Sequence, residues 1–404
     1  MRSLCVISLL LLHLMPANAQ RPMRIAVGAE RTELYLPMLR GGTVAVVANH
    51  TSQVHGTHLL DTLLALRVDV IKVFCPEHGF RGDVEAGKYI QSQTDSKTGL
   101  PLVSLYGKNK KPSGESLGGI DYVLIDLQDV GVRYYTYTST MHYVMEACAE
   151  QGVAVIVLDR PNPNGFYIDG PMLDTATSRS FVGMHPVPLV HGLTIGEYAQ
   201  MINGEHWLKG GVQCRLTVIP CSGYTHQQTY EPPVGPSPNL PNLRSILLYP
   251  SLGLFEGTPV SVGRGTDWPF QIFGYPEFPI RGFHFTPEER PRASVNPPHK
   301  DELCFGIDLR DYSTAYFEDA RAVNLDWLLL AYSAYPNPPA FFNRFFRNLA
   351  GTPTLQQQIE RGLSADEIRQ SWQPALAKFK MLRAKYLLYP DFDQPHNCQA
   401  NHGD

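Results

Sequence analysis

Between Thr43 and Asp159 the chain alternates between two hydrophobic patterns, and this alternation most narrows the fold. Continuous apolar runs, "TVAVVANHTS", "VDVIKVFCP", "PLVSLYG", "IDYVLIDLQDVG" and "VAVIVLDRP", are rich in Val, Ile and Leu. Such runs read as strands buried on both faces. Two amphipathic segments, "THLLDTLLALR" and "STMHYVMEACAEQ", lie between them and read as helices. Strands that alternate with helices in this way give an α/β layered domain with a mostly parallel sheet.

Beyond Asp159 the texture changes to "DRPNPNGFYIDGP", followed by a helix over "LTIGEYAQMINGEHWL" and a strand over "CRLTVIPC". The proline-rich stretch "YEPPVGPSPNLPN", Tyr230 to Asn242, marks a domain boundary. This divides the chain into a segment over 24–230 and a smaller α+β segment over 231–404. In the second segment "HKDELCFGIDLRD" reads as a strand, and "DWLLLAYSAY", "TLQQQIERGL" and "ADEIRQSWQPALAKFKMLRAKYLL" as helices.

At the N-terminus, Arg2, an apolar stretch and Ala17-Asn18-Ala19 predict a signal peptide over 1–19 and an exported chain. No later run is apolar for long enough to predict stable membrane insertion. A net charge of -4 without a Lys/Arg block argues against a general nucleic-acid binder. Six cysteines follow the leader, none in a C-x-x-C pair, so no disulfide pattern is indicated.

The strand ends carry the chemistry. The first ends in Asn49 and His50, the second in Glu77, His78 and Arg81, and the third in Tyr106. Asp126, Asp129 and Arg133 follow the fourth, and Asp159 and Arg160 the fifth. Open α/β sheets bind ligands beyond the carboxyl ends of their strands. No G-x-G-x-x-G follows the first strand, and there is no P-loop, G-x-S-x-G or H-E-x-x-H. No cofactor is therefore expected. A metal site from His78, Asp126, Asp129 and Asp159 is conceivable, but no spacing demands it.

Carboxylate chemistry remains, and glycoside hydrolysis uses an acid at the leaving oxygen, usually with a second carboxylate. Glu77 suits the acid role, with Asp126 or Asp129 as partner, although both aspartates could equally hold loops. Tyr135 and Tyr137 offer sugar-stacking surface or core, and Arg133 could grip a ligand carboxylate. "PLVHGLTIGEYA" adds His191 and Glu197, the latter equally suited to capping a helix. "LFEGTPVSVGRGTDWPF" adds Glu256 and Arg264 on a glycine-rich loop able to close over a cleft.

These same segments, with "PEHGFRG", "SLYG", "DLQDVGVRYYTYTSTM", "DRPNPNG" and "PSPNLPN", resemble the signature segments of the NamZ-like exo-β-N-acetylmuramidases, in the family's order from about Arg24 to Phe278. The resemblance implies a Rossmann-like N-terminal domain without nucleotide, a smaller C-terminal domain, and a cleft near their junction. It implies release of N-acetylmuramic acid (MurNAc) from non-reducing ends of peptide-free peptidoglycan fragments, with the P-E-H-G glutamate falling on Glu77. The saccharide is the expected partner, in a bacterial periplasm or cell exterior. Its lactyl carboxylate would be a ligand for Arg81, Arg133 or Arg264. Two other readings stay open: a non-catalytic glycan-binding protein of the envelope and a metal-dependent hydrolase.

Overall fold

The computed structural model describes residues 24–77, 79–81 and 93–393. The leader, His78 and Cys398 lie outside these residues. Seven strands form the main sheet: β1 (Val44–Ala48), β2 (Val70–Cys75), β3 (Gln93–Thr94), β4 (Pro101–Ser104), β5 (Tyr122–Asp126), β6 (Ala154–Leu158) and β7 (Arg215–Ile219). Their order is β3-β4-β2-β1-β5-β6-β7. Every neighbouring pair is parallel except the short edge pair of β3 with β4. The expected α/β class is thus the observed one.

Strand pleating sorts the apolar runs onto two faces. Val44, Val46 and Ala48 of β1 enter one core with Leu59, Leu60 and Leu63 of helix α1 (Leu59–Ala65). Ala45 and Val47 point the other way, into a core that includes Met141, Val144 and Met145 of helix α2 (Tyr137–Gln151). Gly152 ends α2 with φ 69°, a left-handed cap in which its N–H reaches the Cys148 carbonyl. Helix α3 (Ile195–Gly204) then returns the chain from β6 to β7.

Helix α4 (Leu243–Leu252) follows the proline-rich stretch. Pro250 sits inside it and has no N–H, so the Ile246 carbonyl one turn back lacks its helical donor. The Asn164 side chain supplies that donor at 3.2 Å, tying "DRPNPNG" to the helix. Three antiparallel strands follow in the order β8-β10-β9: β8 (Ile272–Tyr275), β9 (Phe283–Phe285) and β10 (Cys304–Asp308). Of these only β10 was legible as a strand.

The two parts interlock. The core containing Val123 and Val155 also contains Leu254, Phe273, Leu328 and Phe379. After the long helix α5 (Ala365–Arg383) the chain turns back onto the first part, where the Tyr389 hydroxyl donates to Asp159 at 2.5 Å. Cys75, Cys148, Cys214, Cys221 and Cys304 are buried thiols. No helix among the described residues is long and apolar enough to cross a membrane.

Candidate active site

A cavity of about 220 Å³ opens between the two parts, beyond the carboxyl ends of β2 and β4. Glu77, Tyr106, Tyr135 and Thr136 line it from the sheet side, and Asn239, Tyr249, Glu256, Arg264 and Phe270 from the other. The proline-rich segment reaches this position through two bonds to its carbonyls. The Tyr135 hydroxyl donates to Pro236 at 2.7 Å, and His50 Nε2 lies 2.9 Å from the Gly235 oxygen. A stretch whose prolines mark a domain boundary is therefore one wall of the site.

Glu77 follows β2 at the mouth of helix α2. The helix N-cap, Thr136, makes no side-chain capping bond; its hydroxyl donates instead to Glu77 Oε2 at 2.7 Å. Burial, and then the charge of Glu77, raise the pKa of the Tyr106 phenol, which stays protonated and able to donate. Opposite, the Tyr134 hydroxyl donates to the Tyr249 and Pro250 carbonyls at 2.7 and 3.0 Å. Edge-to-face rings continue from Tyr135 to Tyr249 (6.1 Å) and on to Phe270 (4.9 Å), above which lies the Arg264 guanidinium (5.0 Å). The cavity thus has aromatic walls, suited to the apolar faces of a sugar ring.

Most other candidate residues lie in the framework around the cavity. Asp126 is fully buried and holds Arg160 through two bonds of 2.5 and 2.9 Å. Asn49 donates to the Tyr137 hydroxyl at 2.7 Å and accepts from Thr51. These groups fill the crevice between β1 and β5, where a doubly wound sheet ordinarily receives its ligand. The open space is displaced toward β2 and β4.

Asp159 accepts from Thr194, Gly196 and Tyr389, and burial first, then the Glu197 charge, push its pKa up to about 6. Glu197 forms the capping box of α3 with Thr194 and also meets His226 at 3.0 Å, so the capping alternative is the observed one. His191 is fully buried, its Nδ1 accepting from the Leu193 N–H, and burial pushes its pKa down to about 3. Asp129 lies 3.9 Å from His191 and accepts from the Gly131 N–H. Burial raises its pKa to about 7.

Arg133 grips no cavity. It donates to four main-chain carbonyls, Pro171 (2.6 Å) and Val187 (2.9 Å) in the first part, Leu349 (3.1 Å) and Ala350 (2.7 Å) in the second. Arg81 forks onto Asp95 at 3.0 and 2.9 Å. Among the described residues no group of three or more His, Cys, Asp or Glu side chains gathers as a metal cluster. Of the candidates, the structure therefore gathers Glu77, Tyr106, Tyr135, Glu256 and Arg264 at the cavity. Thr136, Tyr249 and Phe270 join them; no sequence motif singles out Tyr249, which lies in a helix that Pro250 conceals.

Comparison with known proteins agrees with this architecture. Residues 44–244 match the model of the N-terminal domain of the exo-β-N-acetylmuramidase NamZ, and residues 247–389 that of its C-terminal domain. The chain belongs to the NamZ family. It is 37% identical over 380 residues to the peptidoglycan β-N-acetylmuramidase NamZ of Bacillus subtilis, covering 88% of this chain and 89% of that protein. Two DUF1343 family proteins from Bacteroides fragilis, known as crystal structures, share the fold. One is 46% identical with a TM-score of 0.85, the other 30% identical with 0.75; each match covers 91% of this chain and 99% of the other.

Proposed function

We propose that this NamZ family member is an exo-acting glycoside hydrolase. It releases MurNAc from the non-reducing ends of peptide-free peptidoglycan fragments ending in MurNAc-β-1,4-GlcNAc, in cell-wall turnover or scavenging. The observation that carries the reading is Glu77, hydrogen-bonded by Thr136 in an aromatic-walled cavity, in a chain of this family. At about 220 Å³ the cavity is smaller than the roughly 300–1,000 Å³ of drug-sized sites, which suits one sugar with its substituents.

Glu77 gives its proton to the glycosidic oxygen as the bond from that oxygen to C1 breaks, and the leaving sugar departs as a neutral alcohol. Water adds at C1 and its proton is returned, directly or through solvent, to the Glu77 carboxylate, which completes the hydrolysis. Thr136 fixes the rotation of the Glu77 side chain. Asp126 and Asp129, expected as partners for Glu77, act in this reading as supports of the strand ends and loops. The leader-like N-terminus supports export to a bacterial periplasm or cell exterior.

The test is mass spectrometry of products from MurNAc-GlcNAc. Free MurNAc is expected, and Glu77→Gln should fold normally yet lose about 10²–10⁴-fold in kcat, the range for a general acid. Stoichiometric binding with no monosaccharide after long incubation would instead establish a glycan-binding protein.

A further inference from the structure

Resting on that reading of the cavity, we infer that Arg264 selects the sugar by forking onto its lactyl carboxylate, and that Glu256 holds Arg264 in place for it. Of the three arginines whose chemistry fits, Arg81 forks onto Asp95 and Arg133 is enclosed by main-chain carbonyls. Arg264 is the only cationic side chain lining the cavity among the described residues, and it shares that lining with Glu77.

Its position is built by the backbone on either side. Gly263 and Gly265 have φ of 77° and 82°, a conformation that residues with a Cβ rarely adopt. A Cβ on Gly265 would also lie 2.5 Å from the Glu288 carbonyl oxygen. The guanidinium is steadied by the Phe270 ring at 5.0 Å and by Glu256. Glu256 binds through a single oxygen, Oε1, which accepts from Nε at 2.8 Å and lies 2.6 Å from Nη2. Burial works to lower the Arg264 pKa, but the charge and hydrogen bond of Glu256, with Tyr249 and Glu77, together raise it above its ordinary value, so the group stays cationic.

A guanidinium has a second edge, formed by its two Nη atoms, with the geometry to take another carboxylate bidentately. An N-acetylglucosamine residue in the same place has no acid to offer it. Glu256 has a second effect: it keeps the Nε edge of Arg264 paired both before the saccharide binds and after it leaves.

The experiment compares kcat/KM for a chromogenic β-MurNAc glycoside and for its lactyl methyl ester, in the wild type, Arg264→Met and Arg264→Lys. It adds calorimetric binding of free MurNAc and of MurNAc methyl ester. The wild type should prefer the acid by about 10- to 150-fold, the ratio corresponding to a charge-assisted hydrogen bond. Arg264→Met should bring that ratio close to one, and Arg264→Lys, which keeps charge without the fork, should fall between. A wild type indifferent to the ester, or an Arg264→Met that keeps the preference, overturns the inference. If the wild type cleaves neither glycoside, the hydrolase reading falls and the binding ratio alone decides: acid preference lost in Arg264→Met upholds the inference, equal binding overturns it. Should Arg264→Met fail to fold, Arg264→Lys carries the same comparison.

Discussion

Replacing Arg133 with methionine keeps most of the side-chain length and removes the donors that join the two parts of the chain. Arg133 is 1% exposed, and its four bonds of 2.6 to 3.1 Å all go to main-chain carbonyls. No carboxylate pairs with it in these bonds, and burial alone pushes its pKa down to about 10. Removing the charge recovers part of its desolvation cost, but each carbonyl left dry costs about 1–3 kcal/mol. With two of the four rehydrated or shifted to other donors, the net loss is about 3–5 kcal/mol, at the upper end for single substitutions. At a urea slope of about 3 kcal/mol per M, the unfolding midpoint should fall by about 1 M or more. Gly351 shows how closely the site is fitted: a Cβ there would lie 2.3 Å from Arg133 Nη2. An Arg133→Met protein with an unchanged midpoint and a raised KM for the saccharide would refute the reasoning and return Arg133 to ligand binding.

Thr136→Val keeps shape and removes the hydroxyl that donates to Glu77. Because that hydroxyl makes no helix-capping bond, stability should change little, while kcat falls about 5- to 30-fold, the equivalent of one hydrogen bond. Equal kcat for both proteins in steady-state assays would discount the contact. Asp129→Asn tests the buried acid. Burial holds its folded pKa at about 7, well above the ordinary carboxylate range, so between the two the folded state binds the extra proton. That contribution is complete at low pH and is lost as the pH rises through the window, at up to about 1.4 kcal/mol per pH unit. Urea midpoints from pH 4 to 8 should decline less steeply in Asp129→Asn than in the wild type; parallel profiles would show that Asp129 does not titrate there.

The main sheet was legible because its strands announce themselves locally. Val44–Ala48 and Ala154–Leu158 are buried along nearly their whole length, and their composition says so without reference to any partner. Gln93–Thr94 and Phe283–Phe285 carry no comparable signal, since two or three residues cannot establish a period and their pairing partner alone makes them strands. The helix containing Pro250 was hidden by its proline, and it persists because Asn164, 82 residues away in sequence, meets the released carbonyl. Tyr230 to Asn242 reads as a boundary from its prolines. Its contact with Tyr135 depends on a hydroxyl 101 residues away.

What the sequence determined by itself was the alternating α/β order, the placing of Glu77 at the end of a buried strand, and membership of the NamZ family. Those features are carried by short-range periodicity or by the order of contiguous motifs. The tertiary structure alone decided which polar residues face open space. Asp126, Asp159 and Arg133 have the same chemistry as Glu77, Glu256 and Arg264, yet their partners lie 34, 230 and 217 positions away, at Arg160, Tyr389 and Ala350. A buried charge survives only where such partners satisfy it, and those left facing a cavity are available to a ligand. Local sequence cannot distinguish the two cases, because the difference lies in what the rest of the chain brings alongside.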